Sequence, residues 1–449
     1  MQSIEKHESN VRSYVRNFPT VFSRAEGSHL YDAAGREYID FFAGAGALNY
    51  GHNNPHMKRA LIEYIESGGV THSLDMATEA KARFLETFDE LILAPRNMNY
   101  KVMFPGPTGT NAVEAALKLA RKITGRMNVV SFTNAFHGMT LGSLTVTGNE
   151  MKRNGAGVPL SMTTRLPFDG YLGDDVDTLD QFEAMLDDSS SGLDQPAAII
   201  IETIQAEGGI NVAGFSWLRR LERIARKHGI VFIVDDIQVG NGRTGPFFSF
   251  EEIGLLPDIV CLSKSLSGYG TPFAATLIQP HLDVWDPGEH NGTFRGNNHA
   301  FVTSRAALET YWRDDTLTND VKRKTSYVAE RLAALAEKYD GEARGRGFIR
   351  GIAFENPHLA GAASAEGFKR GIIMETSGAK GEVLKFLAPL TIDDTTLEQG
   401  LDIVARSVEA AATSSVEGKL EADELPTGAN GVASRLNGDS QLYARYGAE

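Results

Sequence analysis

The chain has 449 residues, of which 42% are hydrophobic, and a formal net charge of −14. This length suggests about two or three domains with a large core, which excludes a disordered or fibrous protein. The acidic balance, without Lys/Arg clusters among aromatic residues, predicts no nucleic-acid partner. Apolar stretches such as 197–201 are far shorter than the roughly 18 residues of a membrane span. We therefore expect no membrane association and small molecules as ligands.

Cysteine use and the first residues indicate the compartment. The single cysteine, Cys261, permits no internal disulfide. Residues 1–16 alternate charges where a signal peptide would need an apolar stretch. Both features predict a cytoplasmic protein.

In chain order, the first predicted elements are two short strands. Residues 28–31 and 37–41 have strand-like sequences around a turn at 32–35. We assign residues 1–48 to the N-terminal part of a small domain.

The next segment, 49–315, predicts a large domain of the α/β class, because β-rich runs alternate with helical patterns. The predicted strands are 129–132, 197–201, 230–234, 259–263 and 273–278. One helix is predicted at 110–124, and another at 216–228 with Ser216 as its N-cap. The alternation favours a mostly parallel sheet.

Residues 316–413 change character and predict the C-terminal part of the small domain. The predicted elements are a charged helix at 320–338, a strand at 347–354 and a helix at 396–413. Residues 414–449 are rich in Gly, Ser, Asn and Asp without clear periodicity, which predicts a flexible tail.

A glycine-rich motif at 240–245 matches the G-x-G-x-x-G pattern of dinucleotide folds and follows a predicted strand. That pattern requires a helix that opens inside the motif. Here Pro246 and two phenylalanines follow in a non-helical run. A nucleotide-binding regulatory module is therefore kept only as the non-enzyme alternative.

Asp235 and Lys264 stand at the ends of two predicted buried strands, where ligands bind in parallel sheets. Two consecutive acids such as Asp235 and Asp236 are often a turn or a helix cap, and a single lysine is usually exposed. Together, a carboxylate and a desolvated lysine suit pyridoxal phosphate. This cofactor needs a Schiff-base lysine and an acid that keeps its ring nitrogen protonated.

Such a cofactor also needs an anion site. Gly109 and Thr110 open a predicted helix, where free N–H groups and the helix dipole favour a phosphate. A plain turn with a threonine cap would have the same sequence. Phe136, followed by His137 and Gly138, would stack on a flat ring while the glycine allows close backbone approach.

Other catalytic classes lack their motifs in this sequence. His52 and His56 are four residues apart, but Pro55 between them argues against a shared helical face, so no metal is expected. A G-x-S-x-G nucleophile elbow is also absent from the sequence, which argues against a serine hydrolase.

The order of these motifs resembles the class III, or ω-amino-acid, aminotransferases of pyridoxal-phosphate fold type I. The resemblance spans roughly the first 410 residues. It is carried by 27–40, Gly51-His52, Gly109-Thr110, Phe136-His137-Gly138, 202–209, 235–245, Lys264, Thr293 and 386–390. It implies a large domain with a mostly parallel sheet plus a smaller α+β domain. It also implies pyridoxal 5'-phosphate as cofactor, ping-pong transamination of small amino and oxo acids, and at least a homodimer with shared active sites.

The resemblance implies a role for individual residues. The residues that would contact the cofactor are Gly109, Thr110, Phe136, His137, Asp235, Ile237, Gln238, Lys264 and Thr293. Lys264 would form the Schiff base, Asp235 would hold the pyridine nitrogen, and Gln238 would donate to the ring oxygen. Ile237 would be the apolar wedge opposite Phe136.

Thr293 would complete the phosphate site from the neighbouring subunit, and Glu202 and Glu207 would modulate the substrate pocket. Two departures concern the substrate carboxylates: Met139 and Lys385 stand where dicarboxylate-binding relatives commonly carry arginine. We expect Lys385 to contact a substrate carboxylate through a single charge, unlike the fork of an arginine. The alternative is an exposed lysine beside a strand.

Three narrower stretches, 48–55, 134–140 and 378–382, resemble a subgroup of this family. Members of that subgroup transfer the amino group of L-glutamate to L-aspartate 4-semialdehyde, a step of ectoine biosynthesis. Other ω-amino-acid transaminases, of the ornithine or 4-aminobutyrate type, and an aminomutase on the same scaffold remain alternatives.

Overall fold

The computed structural model describes residues 1–416, and no helix in that range is long and apolar enough to cross a membrane. The strands are β1 Phe22–Glu26, β2 His29–Asp32, β3 Glu37–Asp40, β4 Lys101–Met103, β5 Val129–Phe132, β6 Thr163–Leu166, β7 Ala198–Ile201, β8 Ile204–Gln205, β9 Asn211–Val212, β10 Val231–Asp235, β11 Ile259–Leu262, β12 Ala275–Ile278, β13 Gly341–Arg346, β14 Ile349–Phe354, β15 Ile372–Ile373, β16 Glu375–Ser377 and β17 Val383–Phe386. The α-helices are α1 Gln2–His7, α2 Tyr14–Asn17, α3 Ala43–Gly46, α4 Pro55–Glu66, α5 Glu79–Phe88, α6 Gly109–Thr124, α7 Leu141–Thr145, α8 Glu150–Asn154, α9 Leu179–Asp187, α10 Phe215–Lys227, α11 Asn298–Tyr311, α12 Thr316–Lys338, α13 Pro357–Lys369 and α14 Asp394–Val416.

The large sheet has the strand order β4, β12, β11, β10, β7, β5 and β6. Strands β11, β10, β7, β5 and β6 run parallel to one another. β12 runs antiparallel to both of its neighbours. The predicted α/β class with a mostly parallel sheet is confirmed. One detail is corrected, because the strand predicted at 273–278 begins at Ala275 and is the antiparallel one.

Two helices cover opposite faces of this sheet. Ile233 of β10 packs in the same core cluster as Val113 of α6. The preceding residue, Phe232, packs in the cluster that contains Trp217 of α10. Successive side chains of a strand point to opposite faces, so β10 is buried on both sides and can be apolar throughout.

The start of α10 differs from the prediction. The helix begins at Phe215, and its N-cap is Gly214 rather than Ser216. The Gly214 N–H donates to Asp169 Oδ2 at 2.7 Å. This contact with a residue distant in sequence fixes the extended Gly214 as the cap, which a local serine preference could not anticipate.

The N-terminal strands pair with a strand from the C-terminal part of the chain. β1, β2 and β3 form an antiparallel sheet, and β15 adds parallel to β3 with Ile372 opposite Ile39. A second antiparallel sheet has the order β13, β14, β17 and β16. These pairings are what the predicted small domain requires, while the domain bounds at 1–48, 49–315 and 316–413 stay a prediction.

The C-terminal helices are longer than predicted. α12 begins at Thr316, where the Thr316 N–H donates to Asp314 Oδ1 at 2.9 Å, rather than at 320. α14 runs from Asp394 to Val416 and so includes the first residues of the tail predicted at 414–449. The rest of that predicted tail, 417–449, lies outside the described residues.

The glycine-rich segment 240–245 forms turns, and no helix begins within it. The Arg243 side chain is fully buried. Its guanidinium donates to the backbone carbonyls of Phe348 and Ala388 and to the side-chain oxygen of Asn49. The segment thus ties the loop after β10 to the neighbouring small sheet, and it lacks the helix that a dinucleotide turn needs.

Candidate active site

Neighbouring parallel strands of the large sheet end at one edge. Lys264 follows β11, Asp235 ends β10, and Glu202 follows β7. Phe136 and His137 follow β5, the next strand along. Residues from four strand ends therefore converge where ligands bind in α/β sheets.

A cavity of about 190 Å³ opens at this edge. Its lining residues are Gly109, Thr110, Phe136, His137, Gly138, Glu202, Glu207, Asp235, Ile237, Gln238, Val239 and Lys264. The structure thus brings together all the residues that the sequence placed in the site, except Thr293 and Lys385.

Lys264 leaves β11 with a φ of +52°, which is uncommon for a residue with a side chain. Burial lowers the pKa of its ammonium group to about 8, although nearby carboxylates such as Glu207 oppose this shift. The neutral amine is therefore more populated near neutral pH than in an ordinary lysine. That is the form in which a lysine acts as a nucleophile.

Asp235 is held by a histidine that the sequence analysis did not connect with it. Asp235 Oδ2 lies 2.8 Å from Nδ1 of His137, 98 residues away in sequence. The other oxygen, Oδ1, accepts the Ile237 N–H at 3.2 Å. Burial alone would lower the pKa of His137, but the hydrogen bond and charge of Asp235 raise it overall. The pair fixes an oriented carboxylate at the cavity wall.

The side chain of Asp236, the next residue, points away from the cavity. It does not line the cavity, and its Oδ2 accepts the Ser249 N–H at 3.1 Å. Its side chain is fully buried, and burial raises the pKa of the carboxyl group to about 7. The two adjacent carboxylates therefore have different surroundings, and only Asp235 faces the cavity.

The N-terminus of α6 forms an anion-binding end of the cavity. The first N–H groups of a helix lack partners within it, and Gly109 and Thr110 supply two of these groups. The Thr110 hydroxyl lies 2.5 Å from Ser143 Oγ and 2.7 Å from Thr140 Oγ1. A Cβ at Gly138 would lie 2.5 Å from Thr110 Oγ1, so only glycine fits beside this hydroxyl cluster. Thr140 and Ser143 were not predicted to belong to the site, although they follow Gly138 closely in the chain.

Apolar side chains line the space between Asp235 and the helix end. A Cβ at Gly109 would lie 2.9 Å from Cδ1 of Ile237, so glycine leaves room there that other residues would fill. Phe136 lines the same cavity, and its N–H donates to Glu202 at 3.0 Å. A lysine, an oriented carboxylate, apolar walls and a donor-rich end fit a flat, phosphate-bearing cofactor with a ring nitrogen.

Lys385 lies in β17 and is fully buried, so the alternative of an exposed lysine is wrong. Its Nζ lies 2.7 Å from Glu207 Oε1, 2.9 Å from Glu375 Oε1 and 3.0 Å from Gln238 Oε1. The ammonium group donates hydrogen bonds to Glu207 and Gln238 and forms an ion pair with Glu375. Burial alone would lower the pKa of Lys385, but the two carboxylates raise it overall.

Sequence reasoning missed Glu375 and its neighbour Tyr14. The Tyr14 hydroxyl, near the N-terminus, lies 3.3 Å from Glu375 Oε2, 361 residues away. Neither residue belongs to a recognisable motif, and only the pairing of distant segments brings them together.

Burial raises the pKa of Glu202 to about 8, so this cavity carboxyl is largely protonated near neutral pH.

Thr293 and Met139 lie away from the centre of the cavity. Thr293 is exposed, and His72 Nε2 lies 2.8 Å from its backbone oxygen. Met139 is 53% exposed. In the described part of the chain, Thr293 does not line the cavity formed by its own chain. Met139 does not line it either and supplies no charge there.

Comparison with known proteins identifies the family. The model of the aminotransferase class-III family matches residues 11–408. A diaminobutyrate–2-oxoglutarate transaminase of Halalkalibacterium halodurans is 57% identical over 91% of this chain and 96% of that protein. The protein of the same name from Nocardia farcinica is 58% identical over 91% of this chain and 94% of its own length.

A solved structure gives the same result at the level of the fold. The ornithine aminotransferase of Toxoplasma gondii, crystallized with oxidized glutathione and with partial PLP occupancy at its active site, is 26% identical. It superposes with a TM-score of 0.78 over 92% of this chain and 94% of that one. The expected fold of pyridoxal-phosphate aminotransferases is thereby confirmed.

Proposed function

The chain belongs to the class III aminotransferase family, and we propose that it transfers the amino group of L-glutamate to L-aspartate 4-semialdehyde. The products are L-2,4-diaminobutyrate and 2-oxoglutarate. One observation carries the reaction type: Lys264 and the oriented carboxylate of Asp235 share a cavity whose other end is rich in N–H and O–H donors. The substrate choice rests on relatives at 57% and 58% identity.

Pyridoxal 5'-phosphate is the cofactor that these residues fit. When bound, it supplies a protonated aromatic ring that accepts the electron pair left as the substrate carbon loses its proton. Asp235 would keep the ring nitrogen protonated, since a buried carboxylate stabilises a neighbouring cation. Gly109 and Thr110 would bind the phosphate. Phe136 and Ile237 would contact the two faces of the ring.

Lys264 would perform the covalent and proton-transfer steps. Between turnovers its amine would hold the cofactor covalently, and the substrate amine would release it. The free amine would then remove the proton from the reacting carbon of the substrate. It would return this proton to the cofactor carbon on the other side of the substrate nitrogen. Its pKa of about 8 suits both directions of this transfer, because a general base works best near the ambient pH.

The remaining cavity residues would orient the cofactor and the substrates. The Gln238 side chain donates one N–H to the Ala45 carbonyl at 2.8 Å, which leaves its second N–H for the cofactor's ring oxygen. Glu202 and Glu207 would face the substrate. Lys385 would offer its charge to a substrate carboxylate only by giving up one of its present partners.

A second copy of the chain would complete each site. The phosphate end of the cavity is bounded by Gly109 and Thr110, whereas Thr293 of the same chain is exposed and outside the cavity. We infer that Thr293 reaches the phosphate end of a neighbouring subunit, in a homodimer at least. The same proposal places the protein in the cytoplasm, which suits its free and buried Cys261. It also places the reaction in ectoine biosynthesis, which suits the proposed substrate pair.

A panel of amine donors and aldehyde acceptors tests the proposed function. We expect glutamate with aspartate 4-semialdehyde to give the highest kcat/KM, and the purified protein to absorb visible light through its cofactor. Preference for ornithine or 4-aminobutyrate would reassign the substrate within the family. Migration of an amino group within one substrate, without a second substrate, would indicate an aminomutase.

A further inference from the structure

Glutamate and aspartate 4-semialdehyde share one feature that an active site for both must recognise. In each, a carboxylate carbon lies three carbon–carbon bonds from the reacting carbon. Glutamate alone has a second carboxylate, attached to the reacting carbon itself. A site that serves both substrates therefore needs one cation in both half-reactions and another cation only for glutamate.

Three lysines place positive charge at or beside the cavity, and all three lower the pKa of Glu207 against the effect of its burial. Lys264 is reserved for the cofactor in the proposed function. Lys385 already donates to Glu207 and Gln238 and is paired with the carboxylate of Glu375. It is therefore available to a substrate only after a partner is displaced, as suits a carboxylate present in half of the reaction.

Lys152, in α8, is the third of these lysines. Its Nζ lies 4.1 Å from the ring centroid of Phe136, a residue of the cavity wall. Within residues 1–416 its ammonium group forms no ion pair and no hydrogen bond, and its hydrogen bonds are made by the backbone, such as that of its N–H to the Asn149 side chain. An ammonium over an aromatic face keeps its charge available to an anion.

Building on the proposed function, we propose that Lys152 binds the carboxylate that both substrates carry three bonds from the reacting carbon. It would thereby supply the positive charge that Met139 does not supply. The position of Lys152 supports this assignment, because its ammonium lies against Phe136 of the cavity wall and its charge acts on Glu207, which would face the substrate. Lys152 is thus a specificity-determining residue and takes no part in proton transfer.

Truncated substrates isolate this contact. 2-Aminobutyrate is glutamate without its distal carboxylate, and 1,3-diaminopropane is 2,4-diaminobutyrate without its carboxylate. We compare kcat/KM for each substrate with that for its truncated analogue in the wild-type enzyme and in Lys152→Met. This variant removes the charge and keeps an unbranched apolar side chain of nearly the same length beside Phe136. Both ratios should fall about tenfold in the variant, which corresponds to about 1.4 kcal/mol. The values for the truncated amines should stay within about twofold.

Two further variants and one spectrum complete the test. Lys152→Arg should restore most of both ratios. Lys118→Met, which removes an ammonium lying 5.6 Å from the Trp285 ring and outside the cavity, should change neither. The visible spectrum of the bound cofactor should be the same in all variants. The proposal would be overturned if neither ratio fell in Lys152→Met. It would also be overturned if only the ratio for glutamate fell, because Lys152 is proposed to bind a carboxylate of both substrates. A wild-type enzyme that does not use 2,4-diaminobutyrate would instead overturn the proposed function.

Discussion

Lys264 and Lys385 are both enclosed by the protein, yet their surroundings give them opposite protonation behaviour. Lys264 stands at the carboxyl end of a strand of the large sheet, where burial lowers the pKa of its ammonium to about 8. Lys385 stands within β17 of the small sheet, where Glu207 and Glu375 outweigh burial and raise its pKa. Lys264 therefore reaches its neutral, nucleophilic form easily, whereas Lys385 stays protonated.

The difference shows that burial alone does not define a reactive lysine. Both residues are removed from bulk water, but only Lys264 lacks a carboxylate within ion-pairing distance among the described residues. The strand end with its positive φ directs Lys264 into a cavity large enough for a cofactor.

The largest effect is expected for Lys264→Ala. The variant should fold normally and lose both turnover and the visible absorbance of the covalently held cofactor, because no other amine in the described cavity takes its role. Absorbance spectra and steady-state assays measure the two losses. Substantial transamination by this variant would remove Lys264 from the mechanism.

The next largest effect is expected for Asp235→Asn. A neutral amide does not stabilise a protonated ring nitrogen, so we expect kcat to fall by about 100-fold or more while some cofactor remains bound. Asp236→Asn is the matched control, because that side chain faces Ser249 and not the cavity. Equal losses in the two variants, or a larger loss for Asp236→Asn, would contradict the assignment.

Lys385→Ala should reduce both stability and substrate binding. It leaves the carboxylates of Glu207 and Glu375 buried without their cation, which costs about 3–5 kcal/mol of unfolding free energy. Apparent affinity for glutamate and 2-oxoglutarate should also weaken, and Lys385→Arg should preserve much more of both properties. Urea unfolding and steady-state kinetics provide the measurements.

The double variant Lys385→Met, Glu375→Gln separates the ion pair from simple loss of packing. It should recover part of the stability lost in Lys385→Met alone, because one uncompensated buried charge is removed with its partner. Additive losses would show that the pair is not coupled. Unchanged affinity for glutamate in Lys385→Ala would remove Lys385 from the substrate site.

The smallest predicted effect concerns pH. The pKa of Asp236 is about 7 in the folded protein against an ordinary value of 3.8, so the folded state retains a proton that the unfolded chain releases. Stability from this group is therefore present below about pH 4 and is lost as pH rises towards 7. The midpoint of urea unfolding should fall less between about pH 5 and about pH 8 in Asp236→Asn than in the wild type. Equal shifts would show that Asp236 does not titrate as proposed.

Much of the fold follows from local patterns. The apolar stripes of α6 and α10 are visible in the sequence because burial repeats with the period of a helix. The short apolar runs of β7, β10 and β11 are visible because these strands are buried on both faces. The details set by distant contacts were not visible. Gly214 caps α10 because Asp169 accepts its N–H, and the predicted cap at Ser216 was wrong for that reason.

The sequence by itself determined the α/β class, the family and the set of residues from which the cavity is built. Motifs at strand ends report these features because Lys264, Asp235 and the glycine turn at Gly109 can each be recognised from the few residues around them. Only the tertiary structure decided how the charges are paired. The contacts of Asp235 with His137 and of Lys385 with Glu207 join segments 98 and 178 residues apart. A buried group's charge state depends on which side chains surround it in space, and sequence spacing does not report that.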